Sequence, residues 1–387
     1  MRSPLAANTA AVGVGILQYR RGGAPWGELG VLVRSIVAAC EDAGLDPSDV
    51  DGFVSYGDDH NEPVRLMPEL GTKEIRLSTA VWGGGGGGLL GAFELAAMAI
   101  TTGQANAVVV YRALVQGTSG RLSQAVMSHF VNNHYAAVGM LSPAQICALR
   151  ATRMVAQHGL ESSAAEALVR ADYYHASRNP EAVAYGQSFD IETYRKSRPI
   201  ADPLKLFDCS RENDGAGAVL LVSAERARDL RNKPVYLLGV ASGAQKGWGE
   251  LNENDDDYTS TGFEPIAARL WASTGMSPKD IDVVELYENF SYQGISSLVG
   301  HGLTTWESAA EDLTFENLIA PTGRMPINTN GGNLAAGFIH GINVAVEAVR
   351  QLRGESANSV PGARTCLVAG GPGSPINSSA IFANERP

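Results

Sequence analysis

Short apolar runs bounded by turn residues alternate along the chain with longer segments of helical period. Ala10–Ile16 reads as a first strand. Glu28–Ala43 repeats its apolar positions every three to four residues and stops at Gly44, which predicts a helix closed by a C′ glycine. Leu45–Tyr56 is a turn feeding a strand, and Leu77–Val81 is another strand. Six glycines, Gly83–Gly88, then open a helix over Leu89–Thr102 that stops at Gly103. Ala107–Val110 is apolar throughout and β-branched from Val108 on, as expected of a strand buried on both faces.

From 115 to 205 the pattern changes. Polar loops, the cluster from His129 to Tyr135, and helices near 143–158 and 162–177 suggest an insertion laid over one face. After Ile200–Asp208, the run Asn213-Asp214-Gly215-Ala216-Gly217-Ala218 reads as a tight turn entering a strand at Val219–Ser223. A short helix, Ala224–Leu230, leads to a boundary at Asn232-Lys233-Pro234.

The second half echoes the first. Ala43–Asp51 matches Thr274–Asp282, with a helix before and a strand after, so that Tyr56 corresponds to Tyr287. Glycines 87 and 88, a helix and the strand Ala107–Val110 match glycines 331 and 332, a helix and the strand Cys366–Ala369. Two matches in one order indicate a duplicated β-α-β unit. The predicted fold class is α/β, a layered sandwich of two such halves, 1–232 and 233–387.

Composition narrows the function. With 387 residues, 44% hydrophobic and 18% charged, the chain has the totals of a folded enzyme with a large core. A formal net charge of −11 argues against a sequence-independent nucleic-acid surface. Cys40, Cys147, Cys209 and Cys366 lie far apart without CxxC spacing, so reduced thiols are expected, with no disulfide frame and no zinc site. No run reaches 18 apolar residues, and the amino-terminal stretch has no sustained apolar signal core; a cytoplasmic protein without a membrane span is the expectation.

The polar residues that end one strand hold the most promising chemistry. Ile281–Leu286 reads as a buried strand running out into Tyr287, Glu288, Asn289 and Phe290. In open α/β sheets ligands collect outside the carboxyl ends of strands, which makes Tyr287 the leading catalytic candidate. A strand-end tyrosine can equally pack its ring and wet its hydroxyl. Glu288 could polarise Tyr287 or cap the next helix. The glycine run around Gly87 opens a helix, so its backbone could stabilise an oxyanion, or serve a close helix crossing. It matches neither a dinucleotide fingerprint nor a P-loop.

Asn328-Thr329-Asn330-Gly331-Gly332-Asn333, then Gly337-Phe338-Ile339-His340-Gly341 and a helix ending in Q-L-R-G, resemble the carboxyl-terminal half of thiolase-superfamily enzymes. The N-D-G-A segment at Asn213, the E-L-Y-E-N-F segment at 285–290 and the G-G-P-G segment at 370–373 extend that resemblance. Within the superfamily the chain is most similar to the thiolase-like branch related to sterol carrier protein X, and there to bacterial steroid side-chain aldolases. The place of the thiolase nucleophilic cysteine falls near Gly87, that of the G-H-P histidine at Phe338, and that of the second cysteine at Leu367 beside Cys366. Without the nucleophile a covalent acyl-enzyme of the usual sort cannot form.

A retro-aldol cleavage needs no nucleophile, only a base for the β-hydroxyl, an oxyanion hole and a proton for the departing enolate. The resemblance thus implies a lyase acting on a branched β-hydroxyacyl-CoA, with a thiolase-like acyltransferase or a non-catalytic acyl-CoA-binding subunit as alternatives. It implies Tyr287 as base or proton relay, His340, His301 or a water in place of the second aldolase tyrosine that Phe338 replaces, and Gly87, Asn330, Gly331, Gly332 and Phe338 around the substrate. His340 could also be a satisfied structural histidine, and Asn132-Asn133-His134 could reach substrate from the insertion. Further implications are a homodimer, a partner with an OB fold and a zinc ribbon, and no cofactor or metal on this chain beyond the CoA thioester it acts upon.

Overall fold

The computed structural model describes residues 7–119, 135, 137–247 and 255–386. In chain order its first half runs β1 (Thr9–Arg20), α1 (Glu28–Ala43), β2 (Gly52–Tyr56), α2 (Pro63–Leu70), β3 (Leu77–Val81), α3 (Leu89–Thr101), β4 (Ala107–Val115) and α4 (Gln116–Ser119). The insertion carries α5 (Pro143–His158), α6 (Ser162–Ala176), α7 (Ile191–Arg195) and the small hairpin β5 (Pro199–Ala201) and β6 (Leu204–Lys205). There follow β7 (Asn213–Ser223), β8 (Val235–Gly243), α8 (Glu264–Thr274), β9 (Val283–Leu286), α9 (Ser291–Gly300), α10 (Ala309–Asp312), α11 (Phe315–Leu318), α12 (Ile342–Arg353), β10 (Thr365–Gly370) and β11 (Asn377–Ala383).

The strands are hydrogen-bonded in the order β3-β2-β4-β7-β1-β8-β11-β10-β9. Two parallel units dominate it: β2 and β4 are neighbours with α3 between them in sequence, and β9 and β10 are neighbours with α12 between them. Each is followed by two antiparallel strands, β7 and β1 in the first half, β11 and β8 in the second. Among the described residues, the ladder joining the two halves has two residue pairs, Ala10 with Tyr236 and Ala11 with Val235. This is the repeat that the sequence echo foreshadows.

Five layers result. Helix α3 packs on β2 and β4 of one half and on β8 and β11 of the other, while α12 packs on β1 and β7 as well as β9 and β10. Both helices therefore lie between the half-sheets, and α3 is apolar around most of its circumference, as a helix covered on nearly all sides must be. Its charge, Glu94, accepts a 2.6 Å hydrogen bond from Ser242 Oγ. Helix α1 covers β1 and β7 from outside, and α8 covers β8 and β11.

Some expectations need correction. The N-D-G-A segment is not a turn but the start of β7, which pairs with β1 along its length. Its glycines serve packing: a Cβ at Gly215 would lie 2.5 Å from Ile339 Cδ1, and one at Gly217 2.8 Å from Ile342 Cγ2. Ala224–Leu230 forms only a 3₁₀ turn, Arg226–Asp229. Strand β11 opens with three buried polar residues that hide its apolar character. Asn377 Nδ2 donates to Thr261 O and Gly371 O, Ser378 Oγ to Gly87 O, and Ser379 Oγ pairs with His301 Nε2.

Candidate active site

Tyr287 is the first residue beyond β9, and its backbone N–H donates 2.8 Å to Ala369 O of the neighbouring β10. That bond carries the strand pairing one residue further and fixes where the side chain leaves the sheet. The ring is buried and lies close against two glycines: a Cβ at Gly86 would sit 2.5 Å from Tyr287 Cε2, and one at Gly341 2.7 Å from Cδ2. The glycine run thus reaches Tyr287 by main chain, and the Gly86 backbone favours the ionised phenol. Burial pushes the phenol well above its ordinary value; the Gly86 backbone opposes this, while the neighbouring Cys147 and Glu288 add to it. Tyr287 in this site is a neutral hydroxyl.

Gly87 has no room for any side chain. A Cβ there would lie 2.0 Å from Ile376 O and 3.1 Å from Ser374 Cβ. The chain from Gly371 to Ser378 occupies this space, with Ser378 Oγ donating to Gly87 O at 2.7 Å and accepting from Leu90 N at 3.0 Å. The thiolase nucleophile is therefore missing in geometry as well as in sequence. The close approach joins the glycine run to the last glycine cluster, and is not the helix crossing considered from sequence.

Phe338 and His340 stand on the loop after Gly337, whose φ of 152° and contacts with Gln18 and Asn213 leave no place for a Cβ. Asn213 Oδ1 accepts from Phe338 N at 2.7 Å, which explains the asparagine of the N-D-G-A segment. The Phe338 ring lies 5.8 Å from that of Tyr287 and 5.1 Å, edge-on, from that of His340. His340 has a φ of 48°, and its carbonyl accepts from Tyr56 Oη at 2.9 Å. Tyr56, the repeat partner of Tyr287, thus ends β2 in the same cluster. Arg112 Nε and Nη2 lie 3.1 and 3.0 Å from His340 Nδ1, and Arg112 Nη1 lies 2.9 Å from Asp59 Oδ2. Burial, then the Arg112 charge, hold the imidazole well below its usual pKa.

Glu288 makes no hydrogen bond to Tyr287 among the described residues. Its Oε1 accepts from Asn333 N at 2.5 Å and Leu334 N at 3.3 Å, in the single π-helical turn Gly332–Ala336. It is a cap, but of this turn and not of α9, the next helix in the chain. Its carboxyl group also meets that of Asp172 on α6.

The N-T-N-G-G motif anchors the same turn. Asn328 Oδ1 accepts from Leu286 N, Thr329 donates to Glu285, and Asn330 Oδ1 accepts from Gly332 N while its amide donates to Asn343 O. A Cβ at Gly331 would meet Ala176 Cβ at 2.4 Å, and one at Gly332 would meet Glu288 Oε1 at 2.0 Å. In this structure Asn330, Gly331 and Gly332 thus hold backbone and helix α6; they do not face the Tyr287 ring.

His301 lies at the end of α9, bonded to Ser297 O at 2.6 Å and Ser379 Oγ at 2.8 Å, with burial lowering its pKa to about 4. Its nitrogens are occupied structurally. Asn132, Asn133 and His134 lie outside the described residues. Sequence reasoning missed Arg112, Asp59 and Asp172; the visible signal was Arg112, a lone charge inside the run V-V-V-Y-R-A-L-V. Among the described residues no three His, Cys, Asp or Glu side chains gather as metal ligands, and no helix is long and apolar enough to cross a membrane.

Comparison with known proteins agrees with this geometry. Residues 244–383 match the model of the thiolase C-terminal domain-like family. The chain is 34% identical to the 17-hydroxy-3-oxo-4-pregnene-20-carboxyl-CoA lyase of Mycobacterium tuberculosis, over 96% of this chain and 98% of that protein. It is 33% identical to a steroid side-chain-cleaving aldolase of Thermomonospora curvata, over 99% and 100%. The solved Ltp2-ChsH2(DUF35) aldolase superposes over the whole of both chains with a TM-score of 0.91 at 32% identity. Human mitochondrial 3-ketoacyl-CoA thiolase shares the fold, with a TM-score of 0.72 at 15% identity over 98% and 99%. With its thiolase-like layers, its filled nucleophile position and full-length likeness to two such enzymes, the chain belongs to the thiolase-like family of steroid side-chain-cleaving aldolases.

Proposed function

We propose that this chain is a retro-aldol carbon–carbon lyase that cleaves a branched β-hydroxyacyl-CoA carrying a steroid ring, releasing a ketone or aldehyde and a shorter acyl-CoA. The observation that carries the reading is the meeting of Tyr287 with a glycine run that has no space for a nucleophile. A tertiary β-alcohol suits it, because such an alcohol cannot be oxidised to the ketone that thiolysis requires.

The reaction balances through one hydroxyl. As the Cα–Cβ bond breaks, the β-hydroxyl proton passes to Tyr287 Oη while the tyrosine's own proton passes to Cα. The β-carbon becomes a carbonyl, Cα gains the hydrogen, and Tyr287 ends as it began. A phenol pushed up by burial suits a concerted relay better than a free phenolate base. His340 would donate to the thioester oxygen as enolate charge develops there, the place left by the tyrosine that Phe338 replaces. Phe338 and the backbone at Gly86 and Gly87 would line the acyl group. Glu288 would act one step back, fixing the turn behind Tyr287.

The chain is further proposed to act within a larger assembly. Strand β3 is a sheet edge with partly exposed residues along it, and Trp82 beside it is 87% exposed, as a surface covered by a second copy would be. The name of the Ltp2-ChsH2(DUF35) aldolase joins two proteins, which supports a small partner here, an OB-fold and zinc-ribbon chain that would hold its own zinc. The site of action would be the cytoplasm.

The test is to offer the chain, alone and co-expressed with such a partner, a tertiary β-hydroxyacyl-CoA bearing a steroid ring. Release of ketone and short acyl-CoA without free coenzyme A is expected. Product only on adding coenzyme A would return the case to thiolysis. Bound acyl-CoA without product would make the chain a binding subunit.

A further inference from the structure

Asp59, Arg112 and His340 form a closed row running up to the Tyr287 cluster. The Arg112 and Asp59 side chains are 2% and 3% exposed. Asp59 is itself held on both oxygens, Oδ2 accepting from Ala113 N at 3.0 Å and Oδ1 from Asn61 N at 2.7 Å. The guanidinium is thereby fixed, and it turns two N–H groups on a single atom, His340 Nδ1. A guanidinium has donors only and keeps its charge at any working pH. Nδ1 must therefore offer its lone pair. A proton there would set N–H against N–H and place a second cation beside Arg112 in a buried site.

We propose that Arg112, oriented by Asp59, is a positioning residue that locks His340 in its neutral Nε2–H tautomer, so that His340 donates a hydrogen bond but neither gives up nor takes a proton. Nε2 makes no hydrogen bond among the described residues, so its proton is unspent for a ligand. The other titratable groups facing the loop do not disturb this state. Tyr56 and Tyr287 are phenols pushed up by burial, and the Asp59 carboxylate balances Arg112. A neutral imidazole donor suits an enolate oxygen, since it stabilises charge without quenching it by proton transfer. This use of the proton rests on the lyase reading; its location on Nε2 does not.

Nuclear magnetic resonance of the full chain labelled with ¹⁵N-histidine tests the assignment without substrate, the His340→Asn variant identifying the signals. Between pH 6 and 9 the expected pattern is a pyridine-type shift at Nδ1, a pyrrole-type shift at Nε2, and no titration. A pyrrole-type shift at Nδ1, or an imidazolium, overturns the proposal in the wild-type protein alone. The charge-neutral double variant Asp59→Asn with Arg112→Met is expected to release the lock: His340 then mixes tautomers or titrates near the ordinary histidine value of about 6.5. In the lyase assay kcat falls by at least about tenfold with KM little changed. A tautomer still locked in the double variant removes the role of Arg112. A locked tautomer in a wild-type protein that cleaves nothing leaves this inference standing and defeats the lyase reading.

Discussion

Asp172 and Glu288 meet carboxyl to carboxyl in the interior, one on helix α6 of the insertion and the other next to Tyr287, and both are fully buried. Burial raises both: Glu288 reaches about 7, and Asp172 is held well above its ordinary value by burial and then by the Glu288 charge. The two backbone N–H groups that Glu288 accepts favour its charged form, so the single proton belongs on Asp172. The pair ties the insertion to the end of β9.

That proton makes stability depend on pH in a defined direction. Both folded-state values lie above the unfolded ones, about 3.9 and 4.3, so the contribution is fully present below about pH 4 and is lost as pH rises through the folded values. Asp172→Asn keeps a donor facing Glu288 but removes one titration. Relative to that variant, the wild-type protein should lose about 1 kcal/mol per pH unit as pH rises above about 5, until Asp172 ionises in the folded state. Urea midpoints of the two proteins across that range check it, and a constant difference between them would remove the shared proton.

The tyrosine at the end of β2 has a smaller task. Tyr56 Oη donates to His340 O, and the residue whose carbonyl it holds sits at a φ of 48°, where side-chain-bearing residues are seldom found. Tyr56→Phe leaves that carbonyl without its partner, at a cost of about 1–3 kcal/mol. Loosening of the His340 loop should also lower kcat several-fold. Thermal denaturation alongside steady-state kinetics reads both, and a variant as stable and as active as wild type would deny Tyr56 this part.

Much of the frame was legible because periodicity and turn chemistry are local. Helix α1 and its Gly44 cap, strand β3, helix α5 and the exit of β9 into Tyr287 follow the pattern of their own residues. The site was legible only where one residue carried the message. The predicted strand stops at Val110, yet β4 continues through Arg112 to Val115 because the charge is neutralised by Asp59 and turned on His340, partners that no local pattern predicts. Asp172 looks like a polar helix position, and its protonated state depends on Glu288 arriving from the other half of the chain. The resemblance implies Gly331 and Gly332 around the substrate; the groups that approach them in the structure are Ala176 and Glu288.

Gly87 separates this site from a thiolase in a way mutation can probe. Restoring a cysteine there would drive its Cβ against Ile376 O, a backbone atom that cannot swing aside. Gly87→Ala and Gly87→Cys should each destabilise the protein by about 1–3 kcal/mol or more. Gly87→Cys should not acquire thiolysis, because the space of the nucleophile belongs to the chain after Gly371. Mass spectrometry after incubation with acyl-CoA tests this: an acyl adduct on the introduced thiol would show that the loop yields.

In the proposed relay, the state of Tyr287 sets the pH dependence of the reaction itself. Its phenol lies above its ordinary value of 10, so almost none is ionised at neutral pH. Were the rare phenolate the base, kcat/KM would rise about tenfold per pH unit up to that pKa. A concerted relay uses the abundant neutral form, and kcat/KM should be flat from about pH 7 to 9.5 as far as this residue is concerned. Tyr287→Phe keeps the ring that packs on Gly86 and Gly341 and loses only the hydroxyl, so acyl-CoA should bind within a few-fold of wild type. Turnover should fall by about 10²–10⁴-fold. A steep rise of kcat/KM with pH that vanishes in Tyr287→Phe would make the phenolate the base, while unchanged turnover in that variant would remove Tyr287 from the chemistry.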